Sequence, residues 1–296
     1  MDNVSDGPYL VSNPSVVRWL DDTHPDVLVG PDGRFNVEVL MEPPRTFVPD
    51  HTGRPTVVLC ANREFFPGLW VALVSLLRVH ADVPVVIFSW DLTEAQEVWL
   101  SKVATVLPRD PSLPDDPMWG RLGLFSLDVP RAVYLDADVV VLRSLDALLH
   151  SEAKFAAARN LDWGIVTNFK DDSLLISLGL DPMAQAFNSG VFTADIAFFG
   201  HSLYDRMLEL HQQYADHFIL GDQSAFQLAF YLDDRPFEFV ETVYNTMAEF
   251  HDWATDPHSP HLIHFAGPDK PWKPQCHQPG QSFFFDHSRL PDPSRP

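Results

Sequence analysis

Two carboxylates stand two residues apart where an apolar segment of the chain ends. Asp136 and Asp138 follow the run Ala-Val-Tyr-Leu at 132–135 and precede the valines at 139–141. Side chains two positions apart along extended chain point to the same side, so both carboxylates can address one cation. Ligands of open α/β sheets bind at the carboxyl ends of the strands. The pair therefore predicts a functional site at the end of a buried strand.

Two chemistries fit this Asp-x-Asp pair. In one, it holds a divalent metal that bridges a nucleotide-sugar diphosphate and stabilises the leaving phosphate. In the other, it resembles the first motif of haloacid-dehalogenase-type phosphatases, with Asp136 as nucleophile and Asp138 as acid and base. That phosphatase motif belongs on the first strand of its domain, whereas a strand-helix-strand-helix pattern precedes Asp136 here. The sequence therefore favours the metal and keeps the phosphatase as an alternative.

Polar residues also stand beside two later predicted elements. Asn188 precedes Ser-Gly and a predicted strand at 190–193, where glycine permits close backbone approach and the amide can donate and accept hydrogen bonds. Asp222 and Gln223 open an apolar helix. Asp222 could cap that helix, or both side chains could contact the hydroxyls or the anomeric centre of a sugar.

The segment 261–272 combines histidine, glycine and lysine. If residues 262–265 are extended, His261 and His264 face opposite sides of the strand, which argues against a shared zinc ion. Only one histidine is then available to a site on either face. Gly267 and Lys270 add a flexible backbone and a cation suited to phosphate.

Four motifs in this order resemble the pattern of glycosyltransferase family 8, which includes glycogenin and bacterial α-galactosyltransferases. They are Asp-x-Asp, Phe-Asn-Ser-Gly-Val, Gly-Asp-Gln and His-Phe-x-Gly-x-x-Lys-Pro-Trp. The resemblance runs from about Thr56 to Trp272. It implies a GT-A fold, a Rossmann-like α/β domain with a mixed, mostly parallel central sheet. It also implies a UDP-sugar donor and a divalent cation, usually Mn²⁺, with Mg²⁺ as the alternative.

The resemblance assigns roles to individual residues. Its metal ligands are Asp136, Asp138 and His264. It places Asn62 near the base or ribose, Phe65 on uracil and Arg121 near a phosphate or the sugar. The full set of residues that it assigns to the nucleotide, the diphosphate and the metal is Ala61, Asn62, Phe65, Arg121, Asp136, Ala137, Asp138, Gly267 and Lys270. Its catalytic residues, which line the transferred sugar, are Asn188, Asp222 and Gln223.

One position departs from the family pattern. Asn160 stands where the family often has aspartate near the sugar and acceptor, so the donor sugar stays open, and Asp162 is a candidate substitute. Family 8 enzymes retain the anomeric configuration. The sequence leaves two routes to retention open, a covalent intermediate on Asp222 or Gln223, or same-face attack with the departing phosphate as base.

Alternating strands and helices must position these residues. Strands are predicted at 56–60, 84–90, 132–135, 155–158, 190–193 and 237–240, and helices at 68–80, 93–107, 195–218 and 223–231. Thr93 and Gln96 form a capping box. This pattern predicts one α/β domain at 51–275. An appended N-terminal segment at 1–50, with a short helix near 16–20 and a turn at 31–33, and a Pro-rich tail at 276–296 flank it.

The chain is strongly acidic, with 41 Asp and Glu against 20 Lys and Arg and a net charge of −21. Such a surface repels nucleic acid and anionic membranes, so a bound diphosphate needs a local cation. We found no apolar run long enough to span a membrane and no signal peptide, which predicts a cytoplasmic protein. Cys60 and Cys276 are expected to be free thiols.

The resulting functional hypothesis is a retaining transferase. It moves a hexose from a UDP-sugar to a sugar, a glycan or a protein acceptor, with the metal on the Asp-x-Asp pair. A self-glycosylating enzyme is a narrower version of it. A nucleotide-sugar-binding protein without transferase activity is the alternative from another class, and the oligomeric state, including a homodimer, stays open.

Overall fold

The computed structural model describes residues 47–253, 259–272, 278, 279 and 284. The helix predicted near 16–20, the turn at 31–33, Cys276 and nearly all of the Pro-rich tail lie outside these residues. The domain boundaries at 51 and 275 therefore stay a prediction.

Ten strands and six α-helices make up the described part of the chain. The strands are β1 (Thr56–Ala61), β2 (Val85–Ser89), β3 (Thr105–Pro108), β4 (Arg131–Leu135), β5 (Val139–Val141), β6 (Phe155–Gly164), β7 (Gln185–Asp195), β8 (Glu238–Val240), β9 (Thr246–Met247) and β10 (Leu262–His264). The helices are α1 (Phe66–Val79), α2 (Glu94–Leu100), α3 (Asp146–Leu149), α4 (Ser173–Ser177), α5 (Ile196–Tyr214) and α6 (Gly221–Leu232). Short 3-10 helices include Pro117–Ser126.

Seven strands form the central sheet in the order β3-β2-β1-β4-β7-β6-β8. Neighbouring strands are parallel except on both sides of β7, which runs antiparallel to β4 and to β6. The predicted class, α/β with a mixed and mostly parallel sheet, is therefore confirmed. Since β1, β4 and β6 run in the same direction and β7 runs in the opposite one, their carboxyl ends and the amino end of β7 lie along the same side of the sheet, where the strands end.

Both faces of this sheet are covered, which explains why its strands are apolar runs without alternation. In β1, Val57 and Leu59 pack with α1 on one face, while Val58 packs on the other face with the buried aromatic side chains of α5 and α6. Successive strand side chains point to opposite faces, so one short strand contributes to both cores. None of the helices in the described ranges is long and apolar enough to cross a membrane.

The helix predicted at 93–107 is wrong beyond its first half. The capping box is present, with Thr93 Oγ1 accepting from Gln96 N, but α2 ends at Leu100. Residues 105–108 form β3, which pairs in parallel with β2 at the sheet edge. The β-branched Thr105 and Val106 favour a strand, and this tertiary pairing overrides the helical pattern.

Two smaller differences concern the site segments. Asn188 was expected just before a strand, but it lies inside β7, which begins at Gln185. Asp222 was a candidate helix cap, yet Leu220 occupies the cap position of α6 and Asp222 lies in the first turn. Asp222 therefore does not cap its own helix, and its side chain faces the carboxyl ends of the strands.

Candidate functional site

The two aspartates lie in the short link between β4 and β5. A second sheet, in the order β5-β10-β9, brings β10 beside this link. In it His264 pairs with Val139, and the Phe265 amide donates to the Asp138 carbonyl at 2.9 Å. Backbone pairing therefore places a histidine from far along the chain next to the Asp-x-Asp pair.

The three side chains converge on one point. His264 Nε2 lies 3.3 Å from Asp138 Oδ1 and 3.7 Å from Asp136 Oδ2. One ligand atom from each of these residues lies within 4.8 Å of the others. His264 Nδ1 donates to Asn245 Oδ1 at 2.8 Å, which orients the ring so that Nε2 faces the carboxylates. A hydrogen bond of this kind orients a histidine that ligates a metal.

The chain keeps space free around this cluster, as a metal would require. A Cβ atom built on Gly190 would lie 2.5 Å from Asp136 Oδ2 and closer still to His264 Cε1. Any side chain at this position would fill the cradle. Two carboxylates with one imidazole suit Mn²⁺ and similar ions better than Mg²⁺, which prefers an all-oxygen shell. The residues present therefore fit a divalent cation.

We expect Gly190→Ala to weaken Mn²⁺ binding at least tenfold, because the added methyl displaces two of the three candidate ligands. Calorimetric titration of Mn²⁺ in the presence of UDP measures this. The control is Ala194→Val on the same strand, which adds bulk in the core away from the cavity. Unchanged Mn²⁺ affinity in Gly190→Ala would contradict the metal assignment.

A buried arginine lies between two carboxylates beside this cluster. Arg121 Nε lies 2.6 Å from Asp222 Oδ2, and its NH2 nitrogen lies 3.2 Å from Asp136 Oδ1. Its NH1 nitrogen donates to Ser189 Oγ at 2.9 Å and to the Ser189 carbonyl. The planar guanidinium thus fixes a candidate metal ligand, a candidate sugar-lining residue and strand β7 at once.

Burial shifts the pKa values of Asp222 and Arg121 in opposite directions. Asp222 is 1% exposed, and this burial raises the pKa of its carboxyl to about 7, even though Arg121 opposes the shift. Burial also disfavours the charged guanidinium, but Asp136 and Asp222 outweigh it and raise the pKa of Arg121 above its usual value. The arginine therefore stays charged while Asp222 titrates near neutrality.

Lys270 occupies the other side of the Asp-x-Asp pair. Its buried Nζ contacts Asp138 Oδ2, donates to the Phe265 carbonyl at 3.0 Å and lies 5.3 Å from the ring centroid of Phe65. Burial opposes ionisation of Asp138, but Lys270 and His264 hold the pKa of that carboxyl well below its usual value. Lys270, predicted to contact a diphosphate, here neutralises Asp138.

The Asp136–Asp138–His264 cluster opens into a cavity of about 700 Å³. The structure brings every site residue predicted from the sequence to its lining, namely Ala61, Asn62, Phe65, Arg121, Asp136, Ala137, Asp138, Asn188, Asp222, Gln223, His264, Gly267 and Lys270. Asn160 also lines it, whereas the alternative Asp162 is exposed and is not a lining residue. His261 points away and binds the Ser144 carbonyl through Nδ1 at 2.7 Å.

Sequence reasoning missed the residues that hold the site in place. Asn245 links His264 to Asn188, because its Nδ2 donates to Asn188 Oδ1 at 2.9 Å. Tyr134 Oη donates to Asp136 Oδ1 at 2.9 Å. The adjacency of Tyr134 to the motif was a signal for its role, but nothing near Asn245 in the chain indicated a partner 19 residues away.

Comparison with known proteins identifies the family. The family model described as Glycosyl transferase family 8 matches residues 108–276, more than half of the chain. The described fold is similar to that of the galactosyltransferase LgtC in complex with donor and acceptor sugar analogues, with a TM-score of 0.63 and 19% identity over 80% of this chain and 98% of that one. A search of curated protein sequences found no significant match.

Two further structures share the fold. The glycosyltransferase GlyE of Streptococcus pneumoniae gives a TM-score of 0.61 at 17% identity over 80% of this chain and 62% of that one. The bifunctional glycosyltransferase WbbM gives 0.62 at 16% identity over 84% of this chain and 51% of that one. These likenesses confirm the predicted GT-A fold, and the family match confirms the predicted enzyme class. The chain therefore belongs to glycosyltransferase family 8.

Proposed function

We propose that this glycosyltransferase moves a hexose from a UDP-sugar to a carbohydrate or glycosylated acceptor, with retention of configuration and with Mn²⁺ as its cation. The observation that carries the proposal is the cavity itself. It joins a three-residue ligand set, two buried cations and a group of amide and carboxylate side chains in one space. Each of these matches one part of a nucleotide-sugar donor.

Asp136, Asp138 and His264 would hold the cation, which when bound supplies the positive charge that a departing nucleoside diphosphate needs. Lys270 lies beside it and can exchange its contact with Asp138 for one with a phosphate oxygen. In the loop that follows β1, Asn62 Oδ1 accepts a hydrogen bond from Phe65 N at 3.0 Å. This turn presents the Phe65 ring to the cavity, where it can stack on a base.

The contacts of Asp222 and Gln223 with neighbouring side chains support same-face attack over a covalent intermediate. Asp222 is held by Arg121, which makes its carboxylate a weaker nucleophile. Gln223 Oε1 accepts from Ser189 N at 2.9 Å, and its Nε2 donates to Asn168 Oδ1 at 2.7 Å. Both side chains are therefore fixed by neighbours, which suits positioning of a sugar.

The test is UDP release from a panel of UDP-hexoses and UDP-N-acetylhexosamines, with Mn²⁺, Mg²⁺ or EDTA. We expect release from at least one donor with Mn²⁺, less with Mg²⁺ and none with EDTA, and loss of release in His264→Ala. The control is Asp216→Asn, an exposed aspartate outside the cavity lining.

Other outcomes separate the alternatives. Binding of UDP-sugar and Mn²⁺ by calorimetry without release or transfer would favour a nucleotide-sugar-binding protein. Cleavage of p-nitrophenyl phosphate that survives His264→Ala and is lost in Asp136→Asn would favour the phosphatase. Either result would overturn the proposed function.

A further inference from the structure

Exposed apolar side chains gather at the mouth of the cavity. Met118, Trp163, Leu220 and Phe250 are among the large hydrophobic residues that remain exposed, and all four line the cavity. Single exposed apolar residues are ordinary on a protein surface, but a group that shares one opening marks a contact site. The donor contacts proposed above use none of them.

Two of these residues form an aromatic corner, defined by Trp163 and Phe250. Their ring centroids lie 5.8 Å apart with an interplanar angle of 85°. Trp163 is 43% exposed and Phe250 is 53% exposed, so each retains ring surface open to the cavity side. A flat aromatic surface beside polar groups is suited to a pyranose, which has an apolar C–H face and hydroxyls at its rim.

The strand order places the aromatic corner away from the nucleotide. The candidate nucleotide loop follows β1, the metal ligands follow β4, Asn188 lies on β7 and Trp163 lies near the end of β6. Adjacent strands are separated by about 4.8 Å, so β1 and β6 are about 14 Å apart. A donor that reaches from β1 to β7 leaves the β6 side for the molecule that receives the sugar.

An irregularity in β6 directs Trp163 there. Pairing with β7 shifts register between Arg159 and Gly164, and Leu161 within this stretch has a φ of 53°. The left-handed backbone conformation is unfavourable for a bulky residue such as leucine. Bulges of this kind change the direction of side chains near active sites. The same distortion contributes Asn160 and Trp163 to the cavity lining.

The charges at the mouth indicate which acceptors fit. Among the lining residues, Arg121 and Lys270 are buried and paired with carboxylates, whereas Glu249 is exposed next to Phe250. The whole chain carries a net charge of −21. An anionic acceptor would meet repulsion here, while a neutral one would find hydrogen-bond acceptors and apolar surface.

We propose that the aromatic corner is the acceptor subsite and that it stacks the apolar face of a neutral pyranose at the end of the acceptor. This inference rests on the proposed function. It assigns a specificity role to Trp163 and Phe250, with Glu249 excluding anionic sugars.

The test separates donor chemistry from acceptor binding. UDP release without acceptor reports on the donor site, and transfer to methyl glucoside, methyl galactoside and methyl N-acetylglucosaminide reports on the acceptor. We expect Trp163→Ala to raise the acceptor KM about tenfold while donor hydrolysis stays unchanged, and Trp163→Phe to restore part of the loss. Phe250→Ala should act in the same direction, and Glu249→Gln should lower the KM for methyl glucuronide.

Phe198→Ala is the matched control, because Phe198 is 50% exposed but lies on α5 outside the cavity lining. An unchanged acceptor KM in Trp163→Ala, or an equal loss of donor hydrolysis, would overturn the acceptor subsite. So would donor hydrolysis in the wild type without transfer to any methyl glycoside. Absence of donor hydrolysis in the wild type would instead refute the proposed function and remove the basis of the subsite with it.

Discussion

Replacing Asp138 by asparagine should lower the affinity for Mn²⁺ by at least about 100-fold. Removing a residue that only hydrogen-bonds to a metal ligand costs about 10-fold to 100-fold, and loss of a ligand's charge should cost at least as much. Asp138 is buried, and Lys270 and His264 hold its pKa far below the usual value against the effect of burial. It is therefore a fixed negative charge at neutral pH. Asparagine keeps the shape of this side chain but supplies no charge to a cation.

The same substitution should destabilise the metal-free protein. The contact between Lys270 Nζ and Asp138 Oδ2 is buried, and removal of one partner leaves the ammonium without a counter-charge. Breaking a buried pair in this way costs about 3–5 kcal/mol. Calorimetry of Mn²⁺ with UDP gives the affinity, and urea unfolding in EDTA gives the free energy of unfolding.

Asp216→Asn is the control for both measurements, because this aspartate is exposed on a 3-10 helix. It should leave the Mn²⁺ affinity and the free energy of unfolding as they are in the wild type. If Asp138→Asn bound Mn²⁺ as tightly as the wild type, the ligand set would have to be sought elsewhere. A loss of stability without a loss of affinity would mean that Asp138 serves only to neutralise Lys270.

The placement of the site was predictable because its residues follow elements with strong local patterns. Asp136 directly follows the buried β4, and the carboxyl end of a parallel strand is where an open sheet binds its ligands. Asp222 and Gln223 begin a clearly apolar helix. For such residues, the position in the sequence is enough to predict that the side chain lies at the carboxyl ends of the strands.

Other features depend on pairing between distant segments, which local patterns do not encode. The strand β3 forms because β2 offers it a free edge, and the bulge that carries Asn160 is defined only against β7. The role of Arg121 was predicted as a contact to phosphate or sugar. Its two ion pairs depend on how the 3-10 helix at 117–126 packs against β1, α5 and α6, and neither is apparent from the segment itself.

Replacing Arg121 by methionine should therefore destabilise the metal-free protein strongly and abolish transfer. Methionine keeps a long apolar stem, but it removes the guanidinium that lies against Asp136 and Asp222. The loss should be about 3–5 kcal/mol at neutral pH, as for other buried ion pairs with one partner removed. Arg121→Lys should recover only part of it, because an ammonium cannot span both carboxylates as the planar fork does.

The dependence on pH distinguishes this charge effect from a packing effect. With Arg121 present, the pKa of Asp222 is raised to about 7, so the folded state binds a proton that the unfolded state has released, and stability falls as pH rises toward 7. Without the arginine this pKa rises further. The fall then continues above about pH 7, at up to about 1.4 kcal/mol per pH unit, where the wild type has levelled off.

Urea unfolding in EDTA at about pH 5 and about pH 8 measures the difference. Arg131→Met is the matched control, because Arg131 is also buried in this sheet and donates to Thr193 Oγ1 and the Ala153 carbonyl, which are neutral. Burial opposes ionisation of the nearby Asp195, but Lys154 and the Phe198 amide hold the pKa of its carboxyl below the usual value, so that carboxylate stays ionised at both pH values. Its loss of stability should change much less over this range than that of Arg121→Met. A deficit of Arg121→Met that is the same at both pH values would show that Asp222 gains nothing from the arginine. The two ion pairs would then contribute packing and hydrogen bonds alone, and charge neutralisation in this cavity would fall to Lys270.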